Sequence, residues 1–235
     1  PREVRVQVNP GQGVEREIAV LFADLRAFTR MSEGRLPYDV VFILNQYFKA
    51  MGEAIEGEGG RVDKFIGDGI MALFGIERDP AEACRQALMG ARAMAIALDK
   101  LNRQLADDLP EPLKMGIGLH AGPVILGQMG YRHATSLTAI GDTVNVASRL
   151  EVTTKEFGAQ LVVSARLAER AGVDLSEFEL REIEIRGRRR PLRVRLVEAA
   201  DQLPVAAGDD ASLATGAAIW AQLVGLGRRV VRTGS

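Results

Sequence analysis

Two aspartates stand where apolar segments end, and together they could bind cations. Asp24 closes the apolar run 17–24, and Asp68 lies in the Gly-Asp-Gly turn 67–69 between two further apolar segments. If the strands formed by these segments are neighbours, the two carboxylates meet at one edge of a sheet and offer oxygen ligands to two hard divalent cations. Such a site suits nucleotide phosphates. The alternative interpretation of Asp68 is an aspartate that only favours the turn.

Two further segments could contact phosphate and other polar groups. Residues 25–29 lead into a helix, where exposed backbone N–H groups could receive phosphate oxygens. Asn145 and Arg149 stand four residues apart in a predicted helix that Asp142 or Thr143 could cap. The spacing projects an amide and a guanidinium from one helix face. A solvated helix face is the ordinary interpretation of such a pair.

The elements that must position these residues alternate between strand and helix periods, which predicts an α+β fold with helices packed on one side of a mixed sheet. Helices are predicted at 36–55, 79–105, 143–156 and 165–171, and strands at 17–24, 113–120, 160–163, 178–185 and 192–198. Two further paired strands are predicted within 59–74, on either side of the turn 67–69. The run 124–127 is predicted to be the hairpin partner of the strand that ends at His120. Asp79 and Pro80 provide an N-cap and a first-turn proline for the second helix.

The chain divides into three parts by composition. Residues 1–15 carry Pro10, Gly11 and Gly13 without an apolar period and predict a lead-in or linker. Residues 16–199 form the predicted domain. Residues 200–235 form a tail rich in Ala, Gly and Asp, in which 213–226 could form a short amphipathic helix.

Composition excludes several classes of function. The 235 residues are 47% hydrophobic and 26% charged with a net charge of −1, so the chain as a whole does not attract nucleic acid or anionic membranes. A single cysteine, Cys84, forms no internal disulfide and fits a reducing, cytoplasmic compartment. No signal peptide or membrane-spanning run is visible. Because the chain begins with Pro1 rather than Met, we expect it to be part of a longer protein, such as the cytosolic domain of a membrane-anchored one, with an upstream sensor or membrane segment.

Four ordered motifs closely resemble the class III adenylyl/guanylyl cyclase catalytic domain, over about residues 16–198. They are LFADLRAFT at 21–29, KFIGDG at 64–69, GLHAG at 118–122 and IGDTVNVASRLE at 140–151. The resemblance implies a class III nucleotide cyclase fold, with a ferredoxin-like mixed sheet.

The resemblance also implies roles for the first group of residues. Asp24 and Asp68 match the two aspartates that hold two Mg²⁺ or Mn²⁺ ions in the family. Leu25 matches a residue whose carbonyl can also bind metal. With Phe28 and Thr29, it also belongs to the turn that binds the triphosphate.

Five further positions match residues that contact the substrate. Lys64 and Thr138 match the pair that reads the purine, and Asn145 matches the residue that orients the ribose. Arg149 matches the residue that stabilises the transition state at the α-phosphate. Arg186 matches a basic residue that holds the terminal phosphates.

These matches imply an adenylate cyclase, a lyase that converts ATP to 3′,5′-cyclic AMP and pyrophosphate. Adenine offers an acceptor at N1 and a donor at N6, and guanine reverses these roles, so the Lys64 donor and a Thr138 hydroxyl that can accept favour ATP. Guanylyl cyclases of the family usually carry Glu and Cys at these positions. A guanylyl cyclase and a catalytically silent nucleotide-binding or dimerisation domain are the alternatives.

The family places its active sites between two domains, and this chain carries both sets of residues. The resemblance therefore implies a head-to-tail homodimer with two equivalent sites. The Lys64 and Thr138 pair is similar to that of a bacterial subgroup with bicarbonate-stimulated members, so a bicarbonate response is a hypothesis. Gly116 replaces an arginine that binds phosphate in some members, and Lys114 could compensate. We expect His120 to be a structural strand histidine.

Overall fold

Eight strands form one mixed sheet in the computed structural model, which describes residues 13–131, 134–185, 187–188 and 190–204. The sheet order is β2-β3-β1-β4-β6-β8-β7, with β5 paired to the remaining part of β4. Only β4 and β6 pair in parallel. The strands are β1 (Val14–Leu25), β2 (Arg61–Ile66), β3 (Gly69–Phe74), β4 (Met115–Tyr131), β5 (Ala134–Ile140), β6 (Leu161–Ser164), β7 (Glu179–Ile183) and β8 (Leu192–Val197).

The predicted α+β fold with a mixed sheet is confirmed, and α2, α3 and α5 pack against one side of that sheet. The helices are α1 (Phe28–Ser32), α2 (Pro37–Gly57), α3 (Pro80–Gln104), α4 (Asp142–Phe157) and α5 (Ala165–Ala171), followed by a 3-10 turn at Ala200–Gln202. The apolar faces of α2, α3 and α5 bury alternate β1 residues such as Ala19 and Leu21 in the main core. Burial of these apolar faces, rather than helix propensity, holds the three helices on the sheet.

Helix α4 lies on the opposite face of the sheet, a position that the sequence did not specify. Its Ala147 packs with Ile18 and Val20, which point away from the main core. The approach is close because β4 carries Gly118 there. A Cβ at Gly118 would lie 2.2 Å from the Glu151 nitrogen and 2.3 Å from the Ala147 oxygen. Only glycine therefore lets the α4 backbone contact the strand.

The prediction that 124–127 turns back as the hairpin partner of 113–120 is wrong. β4 runs through Gly122 and Pro123 without reversing and pairs with β1 from Met115 to Leu126. On its other side β6 covers only 117–119 and β5 covers only 125–131, so Pro123 lies on a local edge where proline is tolerated.

The true hairpin partner of β4 is β5, which the sequence did not predict as a strand. The β4–β5 hairpin folds over the sheet and packs on an apolar cluster that includes Val20, Leu73, Leu126 and Ala139. The folded-back hairpin brings β5 close to β2, although the two strands are not neighbours in the sheet.

The tight β2–β3 hairpin is confirmed, with Gly67 at a φ of 63°, a conformation that glycine adopts without strain. The N-cap of α3 is also confirmed, since Asp79 accepts hydrogen bonds from the nitrogens of Ala81 (2.8 Å) and Glu82 (3.4 Å). The caps proposed for α4 are wrong. Gly141 is its N-cap residue, no side chain caps the helix, and the Thr143 hydroxyl donates to the Pro123 carbonyl instead.

Three predictions fall on parts of the chain outside the described residues. They are Arg186, the segment 213–226, and most of the lead-in, of which only residues from Gly13 onward are described. Among the described residues, none of the helices combines the length and apolar character that crossing a membrane requires.

Candidate active site

The structure brings Asp24 and Asp68 together at one edge of the sheet. β1 pairs with β3 in a register that sets Ala23 opposite Ile70, so Asp24 arrives beside the β2–β3 turn. A Cβ at Gly69 would lie 3.4 Å from Asp24 Oδ1, so the small glycine leaves space for this carboxylate. Burial, the negative charge of Asp24 and a hydrogen bond to it raise the pKa of Asp68 above its usual value.

This carboxylate pair fits divalent cations. Two crowded carboxylates disfavour each other's ionised forms, and a cation between them would remove that penalty. Among the residues that the structure describes, no group of three or more His, Cys, Asp or Glu side chains could hold a metal ion. Mg²⁺ is usually held by one or two carboxylates together with substrate phosphates, and Asp24 and Asp68 offer two carboxylates. The side chain of Leu25 is buried and has no atom that binds metal, so this residue could contribute only its backbone carbonyl.

Three residues around the acidic pair were not identified from the sequence. Lys155 Nζ lies 3.6 Å from Asp24 Oδ2. Burial, followed by the charge of Asp24, raises the pKa of the Glu151 carboxyl to about 7. Burial and the charges of Asp24 and Asp68 raise the pKa of Tyr47, which lies on the inner face of α2. Glu151 and Lys155 stand four residues apart in the predicted helix, so their spacing in the sequence already indicates that they share one helix face.

The turn after Asp24 is held by hydrogen bonds that the Arg26 side chain donates. Ala27 has a φ of 56°, the only positive value among the described non-glycine residues, and α1 follows it at once. The Arg26 guanidinium donates to the carbonyls of Thr154 (3.2 Å) and Ala159 at the end of α4. Arg26 therefore joins this turn to α4. The Phe28 ring packs against the main core, and the Thr29 side chain lies outside the described residues.

Lys64 and Thr138, the two residues predicted to read the purine, are in direct contact. Lys64 Nζ donates to Thr138 Oγ1 at 3.0 Å, which joins β2 to the folded-back β5. The structure adds a third residue, Asp63. Thr138 Oγ1 donates to Asp63 Oδ2 at 2.7 Å, and Lys64 Nζ lies 3.2 Å from the same oxygen.

A β-bulge explains how adjacent residues of β2 reach the same hydroxyl. Side chains of neighbouring strand residues normally point to opposite faces. The β2–β3 register shifts between Val62, which is opposite Ala72, and Lys64, which is opposite Met71, so Asp63 is the extra residue. Such a bulge turns successive side chains toward one side. Sequence reasoning missed Asp63 because the bulge depends on strand pairing.

Asn145 and Arg149 share one face of α4, as predicted, and this face differs from the one that carries Lys155. Asn145 is exposed and Arg149 is half-buried. Arg149 and Lys155 are six residues apart, which in an α-helix separates them by roughly 9 Å along the axis and roughly 120° around it. Since Lys155 contacts Asp24, Arg149 is directed away from the acidic pair of its own chain.

Gly116 has no space for the arginine that the family resemblance implies at this position in some members. A Cβ at this position would lie 2.2 Å from Thr154 Oγ1 and 3.1 Å from Glu151 Oε1. The exposed Lys114 remains a predicted substitute, and its backbone carbonyl accepts a hydrogen bond from the Arg26 nitrogen at 2.7 Å.

His120 is buried in β4 and faces Arg188, Arg166 and Asp142. Burial, followed by the two arginine charges, lowers the pKa of His120 to about 4. A buried neutral histidine is consistent with the structural role expected from the sequence.

Comparison with protein families matches residues 12–197 to the adenylate and guanylate cyclase catalytic domain. The adenylate cyclase of Anabaena cylindrica is 40% identical over 162 residues, covering 67% of this chain and 31% of the relative. Adenylate cyclase 1 of Rhizobium meliloti (strain 1021) is 36% identical over 154 residues, covering 63% of this chain and 22% of the relative. The chain thus spans less than a third of either relative.

Solved structures share the fold. The guanylyl cyclase Cya2 superimposes with a TM-score of 0.73 at 32% identity, covering 83% of this chain and 97% of that one. The adenylyl cyclase CyaB from P. aeruginosa superimposes with a TM-score of 0.70 at 26% identity, covering 82% of this chain and 100% of that one.

Proposed function

The chain belongs to the family of adenylate and guanylate cyclase catalytic domains, and we propose that it converts ATP to 3′,5′-cyclic AMP and pyrophosphate. The observation that carries the choice of ATP is the contact between Lys64 and Thr138. An ammonium that donates to N1 and a hydroxyl that accepts from N6 match adenine. The two named relatives that cyclise ATP support the same substrate.

The reaction needs positive charge beside the phosphates and a ribose that is bound in a fixed orientation. Asp24 and Asp68 would hold two Mg²⁺ or Mn²⁺ ions, which would supply that charge and increase the acidity of the ribose 3′-hydroxyl. Asn145 orients the ribose so that this hydroxyl faces the α-phosphorus. Arg149 adds positive charge where negative charge develops on the α-phosphate. Arg186 and the turn that carries Phe28 and Thr29 bind the terminal phosphates.

We further propose that the enzyme works as a head-to-tail homodimer with two shared sites. The Arg149 face of α4 is directed away from the acidic pair of the same chain, which supports a site completed by a partner. A patch of exposed apolar side chains supports an interface near the start of α2 and the end of β2. Its members are Leu36, Tyr38, Val41, Phe42, Phe65 and Ile66, with Tyr38 87% exposed.

The two elements that carry this apolar patch contact each other. The ring of the partly buried Phe48 in α2 lies 4.3 Å from that of Phe65 in β2, centroid to centroid. Contiguous exposed apolar patches usually mark interaction surfaces. A second copy of the chain is the partner that the family resemblance implies.

Guanylyl cyclase activity is the second candidate, because the guanylyl cyclase Cya2 is among the similar solved structures. Incubation of the purified chain with Mn²⁺ and either ATP or GTP, followed by mass spectrometry of the products, separates the two activities. Cyclic AMP from ATP is the expected product. Cyclic GMP as the main product would replace the proposal by a guanylyl cyclase.

The Asp24→Asn variant tests whether any product comes from the proposed site. We expect its turnover to fall by more than about a hundredfold, since the site would lose one of the two carboxylates that would hold the cations. Asp107→Asn is the matched control, because it makes the same change at an exposed surface acid and should keep full turnover. A folded, nucleotide-binding wild-type chain that forms no cyclic nucleotide would instead be a silent binding domain.

A further inference from the structure

We infer that Asp63 is the residue that makes this site select adenine, because it holds the Thr138 hydroxyl as an acceptor; the inference rests on the proposed function. A free threonine hydroxyl can either donate or accept a hydrogen bond. Lys64 and Thr138 alone therefore do not explain why a guanine O6 should be rejected.

The hydrogen-bond inventory of the three side chains fixes the direction of each bond. A carboxylate has no proton to donate, and an ammonium has no lone pair that accepts. The single hydroxyl proton of Thr138 must therefore point to Asp63 Oδ2, 2.7 Å away, while one oxygen lone pair accepts from Lys64 Nζ at 3.0 Å. The remaining lone pair of Thr138 can only accept.

An acceptor that cannot donate discriminates between the two purines. The N6 amino group of adenine can donate to the free lone pair of Thr138, while Lys64 donates to N1. Guanine would set its O6 lone pairs against the same acceptor and its N1–H against the Lys64 ammonium. A site whose polar groups stay unpaired with the wrong substrate rejects that substrate strongly.

The environment of Asp63 makes this arrangement rigid. Its side chain is fully buried, with 0% exposure, whereas the Lys64 side chain is 41% exposed. Asp63 therefore cannot turn into solvent, and the bulge in β2 keeps it beside Lys64. Lys64 can move toward the purine without releasing the Thr138 proton.

Asp63 is costly as a purely structural residue. Its Oδ1 is buried and has no hydrogen-bond partner among the described residues. A buried, half-satisfied carboxylate destabilises a protein relative to an apolar side chain of similar shape. A positioning role toward Thr138 accounts for its presence at this place.

The test compares two variants that remove the same charge. Asp63→Leu has a similar branched shape and no acceptor, so the Thr138 hydroxyl becomes free to donate to a guanine O6. Asp63→Asn keeps an acceptor oxygen for Thr138. We expect the ATP-to-GTP preference to fall about tenfold in Asp63→Leu, the value of one hydrogen bond, and by less than about threefold in Asp63→Asn.

The preference is measured in two ways so that the inference and the proposed function can fail separately. The first is the ratio of kcat/KM for ATP and GTP. The second is the ratio of their affinities, from displacement of a fluorescent ATP analogue, which needs no turnover. A wild-type chain without turnover would overturn the proposed function, and the affinity ratios would still test Asp63.

A double-mutant cycle separates a role of Asp63 in positioning the Thr138 hydroxyl from a purely structural role. In a Thr138→Val background there is no hydroxyl to orient, so Asp63→Leu should leave the ATP-to-GTP ratio unchanged. Equal effects of Asp63→Leu and Asp63→Asn, or an Asp63→Leu effect that persists in the Thr138→Val background, would overturn the inference. Asp63→Ala adds no atoms to the site and serves for the same comparison should the leucine chain fail to fold.

Discussion

Complementation between two inactive variants tests the shared active site most directly. Asp68 belongs to the acidic pair at the end of β1, whereas Arg149 lies on an α4 face directed away from that pair. Asp68→Ala and Arg149→Ala chains should each be nearly inactive, since removing one group that stabilises transition-state charge costs about a hundredfold to a thousandfold in kcat. In a mixture of the two chains, however, each heterodimer combines an intact Asp68 with an intact Arg149.

The recovered activity follows from the geometry of a dimer with two equivalent sites. Random exchange of equal amounts gives about one half heterodimers, and each contains one intact site and one doubly altered site. The mixture should therefore regain about one quarter of the wild-type activity per chain. The assay is cyclic AMP formation after co-refolding or co-expression with two different affinity tags.

A control mixture, in which both variants lack a residue of the acidic pair, shows whether recovery depends on which residues are altered. Asp24→Ala mixed with Asp68→Ala should stay inactive, because every site in that heterodimer loses one member of its acidic pair. Recovery in this control, or no recovery in a purified Asp68→Ala/Arg149→Ala heterodimer, would refute a site shared between chains.

Four further predictions concern stability and ligand response. His120→Leu should remove the acid sensitivity that this histidine causes. The pKa of His120 is lowered to about 4 in the fold, so the free energy of unfolding of the wild type falls by about 3 kcal/mol as the pH falls from about 6.5 to 4. Gly118→Ala should cost about 3 kcal/mol or more in the free energy of unfolding and abolish activity, since its Cβ would displace α4. Asp79→Ala should cost about 1 kcal/mol through loss of the α3 cap. Mn²⁺ should raise the Tm of the wild type, and Asp68→Asn should abolish most of that rise.

Urea denaturation and thermal shift measurements check these four predictions. For His120 the readout is the difference in unfolding free energy between about pH 7.5 and about pH 4.5, on either side of the ordinary histidine pKa, and an unchanged difference in the leucine variant would contradict the assignment. Gly52→Ala is the control for Gly118, because its Cβ meets no atom closer than 4.0 Å in the interior of α2. A Mn²⁺ response that survives in Asp68→Asn would place the cation elsewhere.

Local patterns in the sequence determined most of the elements and the acidic pair. The apolar runs beside Asp24 and Asp68 predict strands whose carboxylates meet if the strands are neighbours, and the structure meets that condition by pairing β1 with β3. The helical spacing of Asn145 and Arg149 likewise predicts their common face on α4. These predictions depend on periodicities of about two to four residues, which the chain contains without any knowledge of distant contacts.

Only the tertiary structure decided the features that depend on pairing between distant segments. The sequence around Gly122 and Pro123 resembles a turn, yet β4 continues because pairing with β1 along its length outweighs the local preference. The same pairing folds β5 back so that Thr138 reaches Lys64, and a shifted register in β2 places Asp63 beside both. Glu151 and Lys155 face Asp24 because Gly118 lets α4 approach the sheet. Strand register and helix approach are set by burial over the whole sheet, so no short stretch of sequence contains them.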